Sequence, residues 1–187
     1  EYTLHFEKGE NKTGTKEGFV KKPTNSKKTG TTIRWKPDLE VFTDINIPVD
    51  YYLDTLKRQA VVNSHIKFVL KNQAGNKFET TEFLYQNGIV DYVTELAGET
   101  PLTSVQFLEG ERRGRDRADK AEYKVKLSCA FCFSSAVSKI EYYHNSSWLE
   151  HGGAPDKAVR SAFVSAIDAY LKQNNKYTKS ESKVTFQ

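Results

Sequence analysis

Between Pro155 and Leu171 the apolar residues Val159, Ala162, Phe163, Ala166, Ile167, Tyr170 and Leu171 recur with the period of one helix face. Pro155 suits the first turn, where an amide proton has no partner within the helix. A helix over 155–171 runs roughly 25 Å at 1.5 Å per residue, and its stripe has to be covered by other elements. Arg160 lies on the side away from much of the stripe. On local sequence it reads as an exposed helix arginine in a surface pair.

The rest of the chain supplies strands and shorter helices. Tyr2 to Lys8 reads as a strand, and residues 9–28, rich in Gly, Lys, Thr and Asn, as a connection with a short strand near Phe19-Val20. Asn46-Ile47-Pro48 opens a helix in which Val49, Tyr52, Leu53, Leu56 and Ala60 repeat at helical spacing, ending at Asn63. His65–Lys71 and Lys77–Tyr85, joined by Ala74-Gly75-Asn76, make a hairpin, and Asn87 to Leu96 a short helix. Ser104–Leu108 begins a new strand, the acid-and-Arg run 111–120 reads as a loop, and Tyr123–Phe133 is a long alternating strand. Ser138–His144 is expected to pair with that strand, and a last strand to begin near Lys183 after a basic loop. The expected class is α+β.

Thr29 to Phe42 (Thr-Gly-Thr-Thr-Ile-Arg-Trp-Lys-Pro-Asp-Leu-Glu-Val-Phe) reads as a turn, a strand over Thr32–Trp35, and a stop at Pro37. Gly30 supplies a permissive backbone and Thr31 a short hydroxyl. Such a turn either hydrogen-bonds a polar ligand or is a plain hairpin turn.

Net charge is a mild +4, so distribution matters more than the total. Lys21, Lys22, Lys27, Lys28, Arg34 and Lys36 cluster early, and Arg112, Arg113, Arg115 and Arg117 form one run; both patterns are compatible with DNA contact and with solvated loops. No apolar run approaches the ~20 residues of a membrane span, and no signal peptide is recognisable. Cys129 and Cys132 lack the second ligand pair a zinc site needs, so two buried reduced thiols is the better reading. The chain opens on Glu1 within a strand-like run, as expected of an excised piece.

Several of these segments, in the same order, resemble the bacterial type IIA topoisomerase B subunits, of gyrase or topoisomerase IV. They are Phe6-Glu7-Lys8-Gly9, the run Lys28 to Phe42, the helix end Leu56-Lys57-Arg58-Gln59-Ala60-Val61-Val62-Asn63, Asn87-Gly88-Ile89, Asn145, and His151-Gly152-Gly153-Ala154-Pro155. The last departs from the family's acid-Gly-Gly-Thr-His: the glycines are kept, but His151 and Pro155 are not family residues, which puts that motif's side-chain roles in doubt.

The resemblance implies that residues 1–47 are closing strands of a GHKL-type ATPase domain. Residues 48–187 would be a transducer domain of ribosomal-protein-like βαβ fold with a left-handed crossover, truncated before its final loop and helix. Chirality rules alone predict a right-handed connection. Thr31, with Gly30, would touch the nucleotide's adenine pocket, and Arg160, with Lys157, would face a transported DNA duplex. ATP and Mg2+ would bind the intact protein, whose catalytic carboxylate, magnesium-binding Asn, adenine-reading Asp and glycine-rich lid are expected upstream of residue 1. A Gln-Thr-Lys loop is expected beyond residue 187, so the piece alone is expected to hydrolyse no ATP. Implied partners are duplex DNA, the cleavage subunit of gyrase A or topoisomerase IV A type, and a second copy of the ATP-hydrolysing subunit, in the bacterial cytoplasm and with no membrane. Two other readings compete: a MutL-type mismatch-repair ATPase piece, and a stand-alone nucleic-acid-binding module of ribosomal-protein-like fold. The Lys-Pro-Asp-Leu-Glu-Val-Phe segment favours the topoisomerase over the first.

Overall fold

The computed structural model describes residues 1–186. By backbone contacts the chain divides into two units, Glu1–Asn46 and Ile47–Gln187. It is a mixed α/β structure, and among the described residues the strands form five two-stranded antiparallel sheets.

In the first unit β1 (Tyr2–Thr3) pairs with β4 (Val20–Lys21), and β2 (Phe6–Glu7) with β3 (Glu10–Asn11). The single strand expected over Tyr2–Lys8 is therefore two short pieces. Asn11 organises the turn that follows: its side-chain amide donates to the Gly18 carbonyl at 2.7 Å, and its Oδ1 accepts from the Thr13 amide at 2.9 Å. The strand expected over Thr32–Trp35 does not form. Strand propensity describes how a side chain suits a pleated, half-buried surface. This run has no ladder partner among the described residues, and Ile33 is left 86% exposed. What order the segment has is local. Asp38 accepts from the Val41 and Phe42 amides, and the Trp35 and Phe42 rings meet edge-on at 6.0 Å.

The second unit holds the core. Helix α1 (Val49–Val62) packs Ala60 and Val61 against Tyr85 and Tyr92, with Phe68, Phe83, Ile89 and Leu96 around them. Tyr92 lies on α2 (Ile89–Ala97), and Phe68 and Phe83 face one another across the hairpin of β5 (Phe68–Ala74) and β6 (Lys77–Phe83). Before α2 the chain passes close under α1. Gly88 has φ +55°, and a Cβ there would stand 3.2 Å from the Val61 carbonyl oxygen, which suits glycine. Asn87 completes the turn by giving its backbone and side-chain N–H groups to the Asp91 carboxylate, each at 2.8 Å.

A second hairpin joins β7 (Gln106–Gly114) to β8 (Tyr123–Phe131). The expected loop at 111–120 is thus strand as far as Gly114. Glu111 to Gly114 keep the ladder because Lys126, Val125, Lys124 and Tyr123 stand opposite them, and cross-strand pairing can hold a charged stretch extended. The segment 138–144 is not a strand against β8. Only Tyr143–His144 (β9) is extended, and it pairs with Ser147–Trp148 (β10) around Asn145, whose φ is +53°.

Residues 139–148 are held instead by side chains on α1 and α2. Lys139 donates to the Tyr92 hydroxyl at 3.0 Å and pairs with Glu141 at 3.0 Å. The Arg58 guanidinium stacks 3.7 Å over the Trp148 ring, and Gln59 donates to the Ser146 carbonyl at 2.8 Å.

The chain then enters α3 (Gly153–Gln173). Its stripe is only partly covered: Phe163 meets the Phe131 ring edge-on at 5.2 Å, whereas Ile167 and Tyr170 are exposed. No strand starts near Lys183 among the described residues. The tail is pinned by single contacts rather than by a ladder. No described strand pair is parallel, and the β5–β6 and β7–β8 hairpins do not hydrogen-bond to one another.

Candidate functional site

The first two turns of α3 gather the polar groups of greatest interest. The approach is a tight Gly-Gly turn: Gly152, buried with φ +68°, donates to the Leu149 carbonyl at 3.1 Å, and Gly153 to that of His151 at 2.7 Å. Pro155 follows within the first turn, where it interrupts no hydrogen bond. Asp156, also in that turn, complements the positive end of the helix.

Asp156 is the hub. Its Oδ1 accepts from the Tyr142 hydroxyl at 3.0 Å, and both its oxygens lie 2.9 Å from Arg160 Nε, one helical turn on. Burial, and then the bond to Asp156, push the Tyr142 hydroxyl above the ordinary tyrosine range. Arg160 therefore sits in a surface pair. The contact engages only Nε, and the guanidinium carbon stands 4.6 Å from the centre of the Phe186 ring. Among the described residues its terminal amines take no hydrogen bond.

Arg160 also borders a groove of about 420 Å3, lined in part by Ser161, Ser165, Asp168, Lys183 and Phe186. Asp168 is buried, and its oxygens are taken by Lys172 at 2.7 Å and by the Tyr177 hydroxyl at 2.8 Å. These bonds, Lys172 first, hold its carboxyl below the ordinary aspartate range. The Tyr177 oxygen in turn accepts from the Val184 amide at 3.3 Å, fastening the tail to the helix. Lys157 is exposed on the first turns of the same helix.

Gly30 and Thr31 belong to the first unit. Both are exposed, and the place where a Gly30 Cβ would stand is open. Two of the four arginines of the run are paired within their own hairpin: Arg115 with Glu122 at 3.2 Å and Arg117 with Asp119 at 2.9 Å. Cys129 and Cys132 are free thiols, half-buried rather than buried, and burial raises the Cys129 thiol above its usual range. Among the described residues no group of three His, Cys, Asp or Glu side chains could hold a metal ion, and no helix is long and apolar enough to cross a membrane.

The family model described as DNA gyrase B matches residues 88–187, which include the whole of the Asp156–Arg160 site. The chain belongs to the DNA gyrase B family. Its similarity to individual relatives covers more of the chain than that match. It is 24% identical to the DNA gyrase B protein of Mycoplasmoides gallisepticum over 165 residues, covering 87% of this chain and 26% of that protein. With the B protein of DNA topoisomerase 4 from Mycoplasma capricolum subsp. capricolum it shares 25% over 158 residues, 84% of this chain and 23% of that protein. With the DNA gyrase B protein of Bacillus mycoides it shares 24% over 189 residues, 97% of this chain and 43% of that protein. The chain thus spans less than half the length of each of these gyrase and topoisomerase relatives.

Two residues of this candidate site, Asp156 and Tyr142, do not stand out in the sequence as functional. The first has a signal there, the i, i+4 spacing to Arg160. The second has none, because 138–144 reads as a strand.

Proposed function

We propose that this chain is a part of the B subunit of a type IIA DNA topoisomerase, of gyrase or topoisomerase IV type, that relays ATP binding and hydrolysis to the passage of a DNA duplex. On this reading residues 1–47 close a GHKL-type ATPase domain, and residues 48–187 are a transducer domain whose two long hairpins are pieces of a βαβ sheet. The observation that carries the proposal is the family match over residues 88–187, together with gyrase B and topoisomerase IV B relatives aligned along 84–97% of the chain.

Arg160 and Lys157 would meet phosphates of the transported duplex. Such contacts position DNA without reading its sequence, which suits an enzyme that must pass any duplex. Gly30 and Thr31 would lie beside the adenine. An exposed hydroxyl next to a glycine with open space on its side-chain face is compatible with a flat base coming close. The intact protein would take ATP and Mg2+, whose hydrolysis supplies the free energy for coupling. The described residues offer the metal no ligand cluster. The change would pass through the second unit as a rigid-body rotation towards a cleavage subunit of gyrase A or topoisomerase IV A type. The working assembly would contain two copies of the ATP-hydrolysing subunit and act in the bacterial cytoplasm.

The test is Arg160→Ala in the full-length protein carrying this chain. Supercoiling or relaxation and DNA-stimulated ATP hydrolysis should both fall, and the slope of log affinity against log salt should shrink by about one. Unchanged activity with an unchanged salt slope overturns the role given to Arg160.

A further inference from the structure

We propose that the free end of the β7–β8 hairpin, residues 111–126, enters the major groove of a DNA duplex, with Arg112, Arg113, Lys120 and Lys126 on the phosphates of its two walls. This rests on the reading of the chain as part of a DNA-passing enzyme, and it places a contact on an element apart from α3.

The sequence loads this end with charge of one sign. Between Glu111 and Lys126 seven lysines and arginines stand against four carboxylates. Three of those carboxylates are taken within the hairpin, Glu111 by Lys124 at 2.8 Å, Asp119 by Arg117 at 2.9 Å and Glu122 by Arg115 at 3.2 Å. The fourth, Asp116, lies against the Tyr123 hydroxyl, which that contact raises above the ordinary tyrosine range. Among the described residues Arg112, Arg113, Lys120 and Lys126 make no ion pair, and all four are exposed.

The register explains why. Arg113 stands directly opposite Lys124, a like-charge pair that destabilises a bare ladder. Lys124 reaches diagonally to Glu111 instead, and Lys126, directly opposite Glu111, is left without that carboxylate. An anion beside Arg113 and Lys126 relieves the repulsion.

Shape selects a duplex over an acidic protein surface. No further strand joins β7 or β8 among the described residues, so the pair is a two-stranded ribbon. Alternate residues of a strand face opposite ways, so Arg113 and Lys126 lie on one face of the ribbon and Arg112 on the other. Lys120 sits in the turn, its amide on the Arg117 carbonyl at 3.0 Å. A flat acidic surface meets one face, whereas a groove has a phosphate backbone on each side. The major groove, about 12 Å wide and about 8.5 Å deep, admits a two-stranded ribbon, and Glu111 to Gly114 advance about 10 Å at roughly 3.4 Å per residue. From 111 to 122 the apolar side chains are Ala118 and Ala121, so the end lacks the large apolar anchor around which protein interfaces are built.

The experiment is a salt series of binding by the 187-residue chain to a 20-base-pair DNA, read by fluorescence anisotropy, with each variant checked for unchanged circular dichroism. Arg112→Gln with Arg113→Gln, and Lys120→Gln with Lys126→Gln, should each reduce the slope of log affinity against log salt by about two. Lys71→Gln with Lys77→Gln removes the same charge from exposed positions of the β5–β6 hairpin and should leave the slope unchanged. An equal loss there overturns the site, because net charge alone would account for the effect. A single strand of the same length, or polyglutamate, binding as tightly as the duplex overturns the groove.

The hairpin contact also falls if its variants match wild type, or if wild type shows no salt-dependent binding. If that happens while Arg160→Ala in the full-length protein lowers activity, the reading of the chain as part of a DNA-passing enzyme stands. If neither the hairpin variants nor Arg160→Ala has an effect, both fall.

Discussion

Gly152 is where backbone geometry and the Arg160 site meet. Its φ of +68° is strained for any residue with a side chain, and an added Cβ would stand 2.7 Å from Asp156 Cβ and 3.4 Å from Tyr142 Cδ2. Gly152→Ala is therefore expected to cost about 2 kcal/mol, measured as a lowered urea midpoint, and to displace the carboxylate that holds Arg160. Asp91 gives a pH-dependent counterpart at the start of α2. The Asn87 backbone N–H, and then its side-chain amide, depress the Asp91 carboxyl below the ordinary aspartate range, against a smaller opposing effect of burial. A carboxyl whose folded pKa lies below the unfolded value of about 3.9 adds stability that is complete above that value and lost as pH falls through the folded one. Asp91→Ala should thus be destabilising near neutrality by about 1 kcal/mol, as for the loss of a helix cap, and the difference from wild type should shrink as pH falls below the unfolded value. A difference that stays constant over that range in urea melts would rule the ionised contact out.

At the scale of elements, stability concentrates where α1, α2 and the β5–β6 hairpin share residues. Val61 is 1% exposed and Ala60 fully buried. Val61→Ala removes two carbons from a site that Tyr85, Tyr92 and Phe68 surround, and should cost about 2 kcal/mol. A loss below about 0.5 kcal/mol by chemical denaturation would mean the core repacks freely. These elements are also the ones the sequence shows best. The period of Leu53, Leu56 and Ala60, the turn at Gly75 and the Asn87-Gly88 break are local signals, and they survive into the structure with shifts of a few residues. Thr32–Trp35 has equally good strand residues and forms none, because a strand is a property of two segments and none of the described residues supplies the second. Segment 138–144 misleads for the opposite reason: its long-range anchor, Tyr92, lies far away in sequence, as does Arg58, which holds Trp148 just beyond it, and these contacts override its alternation. Arg160 is visible through its place on a helix face and through resemblance. The Tyr142 contact that orients Asp156 depends on that same unreadable segment.

Across the whole molecule the two units differ in what can hold them closed. No residue of Glu1–Asn46 is buried, and its ladders are two-residue pairs, whereas Ile47–Gln187 contains the buried cluster around Val61 and Tyr92. Local opening costs little where few apolar groups are buried and backbone bonds face water. Hydrogen–deuterium exchange of the 187-residue chain should therefore label residues 1–46 at the earliest times, Thr29–Phe42 included. Peptides from α1 and α2 should label only through openings that approach global unfolding. Protection of Thr29–Phe42 comparable to that of α1 would mean this segment has found a ladder after all, and would overturn the account of its exposed Ile33 and Trp35. If the same segment, in a full-length protein with an ATPase domain, becomes protected when ATP binds, its lack of a partner is what leaves it free to report the nucleotide. No change on ATP binding would remove Thr31 from the nucleotide side while leaving the role given to Arg160 untouched.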